Sequence, residues 1–483
     1  MLTTADARRS VLHRAERLRR LSETERDLIR LANEPGFHRW LEQIKATGGC
    51  AHPIYLAGHT TVFHPDTGQV LRHYATDDEP GGRLPVRCRN RRETRCGPCS
   101  RLHSGDTFHL VRSGLLGGKG IPSAVAAHPR LFVTLTAPSF GPVHRAANGG
   151  EPCRPRATGT RCEHGRSLSC GAAHAPDDSA VGQPLCPACY DYTGHVLWHA
   201  HAGELWNRTT RAIRRYLATA AGITQSRIGE HLRLGFAKVA EYQRRGAIHF
   251  HAVVRADGPD GPETAPPDWA TADVLDSAVR AAVLAVEVAM PYAAALGERV
   301  FRWGAQLDVH PIRRALDDGP VTDQAVAAYV AKYVSKSVGD ADGTDRPIAS
   351  YEELDLLPVS AHTRALMGTC WRLGRLGELD RLSLRAWAHT LGYRGHVLTK
   401  SRRYSTTYAA LRTERADHHT GEERPLEPGV REVAWRYVGS GHTPGEAEVA
   451  AGIAEDLALL RVIVREEIGS WGRGRGTETR LSR

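Results

Sequence analysis

The sequence predicts an α+β protein, an antiparallel sheet with helices, in which part of the chain is folded around metal rather than around an apolar core. Three observations predict it. Two runs, RLFVTLTAPSFG at 130–141 and AIHFHAVV at 247–254, alternate side-chain character with a period of two, as half-buried strands do. Stretches at about 195–219 and about 271–295 read as helices. Nine of the ten cysteines fall into two groups, at 50–99 and 153–189, and in a cytosolic chain such groups read as metal ligands before disulfides.

Taken in order, residues 1–48 form a basic segment with one or two helices over 5–46, ending at Gly48 and Gly49. Residues 49–125 alternate short strand-like runs (PIYLAG, TVFHP, VLRHYA) with turns, the pattern of a zinc-ribbon-like module. Its Cys50, Cys88, Cys96 and Cys99 make an all-thiolate set, the last two being a CxxC knuckle that presents two thiolates to one tetrahedral ion. Residues 126–340 carry the main sheet. The strand at 130–141 sets Phe132, Thr134 and Thr136 on one face and Val133, Leu135 and Ala137 on the other. Inside this domain, about 142–192 is rich in Gly, Pro, Cys and His and reads as an insertion folded by metal. Its second knuckle, Cys186 and Cys189, needs two more ligands from Cys153, Cys162, Cys170, His164 and His174; Cys162 and Cys170 complete the preferred set. Two structural Zn²⁺ ions are therefore expected. Cys370, beside Trp371, reads as a small buried hydrophobe.

Within AIHFHAVV, His249 and His251 share one face and Phe250, Ala252 and Val254 the other. A three-residue turn at Arg244 to Gly246, with Gly246 in the left-handed region, pairs Glu241 directly across from His249. Two imidazoles and a carboxylate suit Mg²⁺ or Mn²⁺ with positions open to phosphate oxygens. Asp308, in QLDVHPI, competes with Glu241 as the third ligand, and His310 is a weaker candidate. Further on, YVAKYVSK places Tyr329 and Tyr333, and Lys332 and Lys336, at helical spacings of four, as two adjacent stripes. A phenol can attack a phosphodiester if a metal holds the developing charge, and nearby ammonium groups assist by lowering the phenol pKa or holding phosphate.

In that order, FVTLTAPSFG, AIHFHAVV and YVAKYVSKS resemble the three motifs of the HUH endonuclease superfamily, in particular rolling-circle replication initiators. The two-tyrosine form is similar to the initiators of small single-stranded DNA phages. Over about 45–470, including GGCAHPI, CGPCS, QPLCPACYDY and TKSRRYSTTYAALR, the chain resembles RepSA-like initiators of actinobacterial plasmids and integrative elements. The resemblance implies a ferredoxin-like core, His249 and His251 as metal ligands, Tyr333 as initiating nucleophile and Tyr329 as the second. It also implies a plasmid replication initiator that nicks one origin strand, keeps the 5′ end as a phosphotyrosine and leaves a 3′-OH primer for a host polymerase, with a host helicase.

Residues 341–470 read as a helical DNA-binding or accessory region. Arg394, Lys400, Arg402 and Arg403 interleave with Tyr393, Tyr404 and Tyr408, which suits phosphate contact with stacking on unpaired bases. The stretch TPGEAEVAAGIAEDLALLRVIVREE is amphipathic and suits core packing or self-association, and 471–483 reads as a disordered tail. A formal net charge of +10 favours a phosphate-bearing partner, here single-stranded and supercoiled origin DNA. No signal peptide or membrane span is visible, so a cytoplasmic protein is expected. No GxxxxGK[ST] loop is present; GLLGGKG at 114–120 lacks its spacing and its Ser/Thr. The competing readings are an HUH relaxase or transposase, and a zinc-containing DNA-binding regulator without catalysis.

Overall fold

The computed structural model describes residues 21–147, 149–155, 160–313, 322–335, 344, 346–420 and 429–474. The first part of the basic N-terminal segment, Lys336 and the tail from 475 lie outside them. In chain order the elements are α1 (Glu23–Ala32), α2 (Phe37–Ala46), β1 (Ile54–Phe63), β2 (Val70–Ala75), β3 (Leu84–Val86), α3 (Gly97–Leu116) and β4 (Arg130–Leu135). There follow α4 (Tyr192–Ala220), β5 (Arg233–Tyr242), β6 (Ile248–Asp257), α5 (Ala272–Ala285), β7 (Val288–Ala289), β8 (Val300–Phe301), β9 (Leu307–Pro311) and α6 (Asp323–Ser335). The last are α7 (Glu353–Leu356), α8 (Ala361–Leu373), β10 (Leu398–Lys400), α9 (Tyr408–Thr420), β11 (Val430–Ser440) and α10 (Pro444–Gly474).

The chain divides into two compact units, 1–103 with 416–483, and 104–415. In the first, β11, β1 and β2 form an antiparallel sheet, with β3 on the far end of β1. The helix α1 starts on a capping box: the Ser22 hydroxyl accepts from the Glu25 N–H while the Glu25 carboxylate accepts from the Ser22 N–H. Leu31, Trp40 and Ile44 of α1 and α2 pack with Ala450 of α10.

In the second unit, five strands in the order β10-β5-β6-β4-β9 are antiparallel throughout. One face buries Leu131, Val133, Leu135, Phe250, Ala252 and Val254 against residues of α4, α5 and α8. The opposite face buries Ala237, Val239 and Val253 with Leu110, Val111 and Leu115 of α3 and Val326, Ala327 and Val330 of α6. Each buried Val, Leu or Phe among them contributes about 1.5–3 kcal/mol by leaving water, so α6 is seated on the sheet by its own apolar stripe. The Ser104 hydroxyl adds a hydrogen bond to the Ala331 carbonyl, 3.0 Å.

Three sequence expectations need correction. The helix expected over 271–295 stops at Ala285, because Val286 is already extended (ψ 129°) and the chain turns into the β7–β8 pair before Pro291. The region from 341 onward is not purely helical: β10 forms an edge of the five-stranded sheet and β11 pairs with β1 over its whole length. Chain beyond 340 is therefore built into both units rather than following them. Residues 471–474, expected to belong to a tail, are helical, since α10 continues to Gly474; the rest of that segment lies outside the described residues.

Candidate metal centre and its tyrosine helix

The hairpin forms as its sequence suggests. Gln243 and Ala247 close the turn, with the Gln243 N–H donating to the Ala247 carbonyl (2.8 Å), and Gly246 takes φ +78°. The register then sets Glu241 opposite His249 and Val239 opposite His251. Glu241 Oε2 lies 2.9 Å from His249 Nε2 and 3.1 Å from His251 Nε2, and the two Nε2 atoms are 3.3 Å apart. An octahedral ion with bonds of about 2.1 Å has adjacent ligands about 3 Å apart, so these three atoms match one triangular face of its shell. Burial would raise the Glu241 pKa, but hydrogen bonds from His249 and His251 outweigh it and hold the carboxyl at about 2. Burial pushes His251 below the usual histidine range against the opposing pull of Glu241, and so favours the neutral ring that can ligate.

Strand β4 supplies the support. Thr134 sits across from His251, with Oγ1 3.1 Å from Nδ1. With an ion held by the triad, a proton donated from Nδ1 to that hydroxyl would leave the Nε2 lone pair free to ligate it. Phe132 stacks on the His251 ring, 5.8 Å between centroids and 4° between planes. Asp308 pairs with Thr134 on the other side, so Thr134 stands between it and His251; Asp308 is outside the three-residue group, and His310 opposite Phe132 is exposed.

Helix α6 brings the Tyr329 hydroxyl to 3.2 Å from His251 Nε2, edge-on to the rings of His251 and Phe132. Lys332 lies on the same helix and is exposed. Tyr333 lies one turn beyond Tyr329 in the same helix; its side chain, like all of Lys336, is outside the described residues.

Nine of the ten cysteines gather, with three histidines, into three four-residue sets, each with ligand atoms within 4.8 Å of one another. Cys50, Cys88, Cys96 and Cys99 come together as expected, with Cys50 Sγ 3.8 Å from Cys96 Sγ and 3.6 Å from Cys99 Sγ. The second expected set does not. Cys162, Cys186 and Cys189 are joined by His164, while Cys170 lies with Cys153, His174 and His144. The reason is local: Arg154 and Cys170 form a β-bridge, which returns Cys170 to Cys153, and the turn at Cys162 to Arg166 projects Cys162 and His164 toward the knuckle. His144 escaped the sequence reading because no knuckle marks it.

The basic segment also departs from expectation. Tyr393 and Tyr404 are buried, and Tyr408 hydrogen-bonds Thr107 Oγ1 at 2.7 Å, so these rings belong to the packing rather than to a stacking surface. Arg394 donates to the Arg381 carbonyl, Arg403 to that of Asp260, and Lys400 to that of Ser405. Arg402 is exposed. Among the described residues no helix is long and apolar enough to cross a membrane.

Sheet, centre and cysteine sets together define an α+β protein with a carboxylate–dihistidine centre beside a tyrosine-bearing helix. The chain belongs to the RepSA family of replication initiators. The family described as RepSA, replication initiator protein, pSAM2, matches residues 36–455. A replication initiator protein of Streptomyces ambofaciens is 46% identical over 454 residues, covering 92% of this chain and 95% of that protein. No solved structure matches.

Proposed function

We propose that the chain initiates rolling-circle replication of a plasmid or integrated element by nicking one strand of origin DNA through a tyrosine, on an HUH-type ferredoxin-like core. The observation that carries this reading is the convergence of Glu241, His249 and His251 with the Tyr329 hydroxyl, 3.2 Å from His251. A Mg²⁺ or Mn²⁺ ion held by the triad supplies Lewis-acid polarisation of the scissile phosphate. Glu241 stays ionised, Thr134 holds the His251 tautomer, and the walls of Phe132 and Val239 limit water. The tyrosine oxygen bonds to phosphorus as the P–O3′ bond breaks, and the phenolic proton goes to the departing 3′ oxygen, by way of water or a basic side chain. The products are a 5′-phosphotyrosine and a 3′-OH primer. Tyr333 is our choice of initiating nucleophile and Tyr329 of the second, with Lys332 and Lys336 bearing on the phosphate. A host polymerase and helicase would extend and unwind. Structural Zn²⁺ in Cys50, Cys88, Cys96 and Cys99, and at the Cys186–Cys189 knuckle, would hold the modules.

The test is incubation of purified protein with supercoiled plasmid carrying its origin, with Mn²⁺ or EDTA, comparing wild type with Tyr333→Phe, Tyr329→Phe and the double variant. Nicked circles with protein on the 5′ end, lost with EDTA and with Tyr333→Phe, are expected. Loss only in the double variant would make the two phenols interchangeable, and origin binding with no nick in any metal would favour the regulator.

A further inference from the structure

We propose that His144, Cys153, Cys170 and His174 hold a third zinc ion, and that this ion anchors the turn of the hairpin bearing Glu241 and His249. The distances are those of a tetrahedral shell. With Zn–S of about 2.3 Å and Zn–N of about 2.0–2.1 Å, its edges are about 3.5 Å between S and N and about 3.3 Å between two N. Here Cys153 Sγ lies 3.7 Å from His144 Nδ1, Cys170 Sγ 3.4 Å from His174 Nε2, and the two imidazole nitrogens are 3.2 Å apart. Two thiols and two imidazoles in this arrangement select zinc over harder ions.

The surroundings fit a ligand set better than a chance cluster. His174 turns Nε2 to the group while its Nδ1 meets the Asp178 carboxylate at 2.8 Å, the outer contact that orients metal-bound histidines. The Arg145 N–H donates to Cys153 Sγ at 3.2 Å, and Cys153 is wholly buried. Two routes run from this set to the hairpin turn. Asp178, already bonded to His174, accepts at its carbonyl from Arg244 Nη2, 3.4 Å. His144 pairs through its backbone with Gly182 and Gln183. Gly182, at φ +90°, lies so close to the hairpin that a Cβ there would come within 2.4 Å of the Arg244 carbonyl. Loss of the ion would free both contacts and loosen the turn that sets Glu241 against His249.

Zinc per chain, measured by elemental mass spectrometry on the full-length protein with Mn²⁺ present to fill the dihistidine centre, is expected to be three. His144→Ala should reduce it to two and speed amide exchange at Arg244–Ala247 about tenfold. His144→Cys should keep three ions, restore slow exchange and strengthen the thiolate charge-transfer band of the cobalt-substituted protein. A wild-type content of two, or three ions in both His144→Ala and Cys170→Ser, would overturn the site. Loss of the ion with unchanged exchange at the turn would overturn the anchoring. Neither readout involves DNA cleavage, so a failed nicking assay leaves this proposal standing.

Discussion

Lys238 sits on the face of β5 opposite Glu241, 3% exposed, with Nζ 3.8 Å from the centre of the Phe250 ring and 3.5 Å from Tyr393 Oη. Burial lowers its pKa to about 7. Between there and the unfolded value of about 10.4, the unfolded chain binds more protons, so stability rises with pH across that window. Thermal melts at pH 7 to 10 should show this rise in wild type and not in Lys238→Met. On the other face, Glu241→Gln removes a charged ligand and should weaken Mn²⁺ binding by at least about 100-fold in titration calorimetry. Thr134→Val, which removes only the partner of His251 Nδ1, should cost about 10–100-fold. That Thr134 and His251 each face the centre was legible in the alternation of strands β4 and β6. The placement of Asp308 was not, because sequence order says nothing of which strand intervenes, and Thr134 does.

At the scale of elements, the hairpin is the part most dependent on one backbone conformation. Gly246 takes φ +78°, and a Cβ there would meet Leu391 Cδ1 at 2.9 Å. Gly246→Val should therefore lower stability by about 1–3 kcal/mol in urea titration and weaken Mn²⁺ binding with it. The turn and its register could be read from the sequence because a three-residue loop with glycine at its end allows one pairing. Helix α6 was legible as a helix, but its seat was not. Val326, Ala327 and Val330 lie over Ala237, Val239 and Val253, and that contact, made across a long stretch of chain, brings Tyr329 to His251. The cysteine insertion shows the same limit: CxxC pairs announce themselves by spacing, whereas His144 and His174 meet only because the loop doubles back.

Over the whole chain, the two ends of the sequence build one unit, since β11 pairs with β1 from Ile54↔Ser440 to Phe63↔Val430. Gly58 permits that approach, because a Cβ on it would come within 1.9 Å of the Ala434 carbonyl oxygen. Gly58→Val should detach β11 and make 429–443 readily cleaved in limited proteolysis, while Mn²⁺ binding at Glu241, His249 and His251, which lie in the other unit, persists. The chemistry available follows from local pattern: which strand faces carry histidine, which helix carries tyrosine, which knuckles carry thiolate. These depend on periods of two and about 3.6 and on short spacings, all local properties of a chain. Tertiary structure alone decided which of those groups meet. It split one expected cysteine set into two, buried Tyr393 and Tyr404, and brought Tyr329 to the dihistidine pair, because such meetings follow from burying apolar faces contributed by residues far apart in sequence.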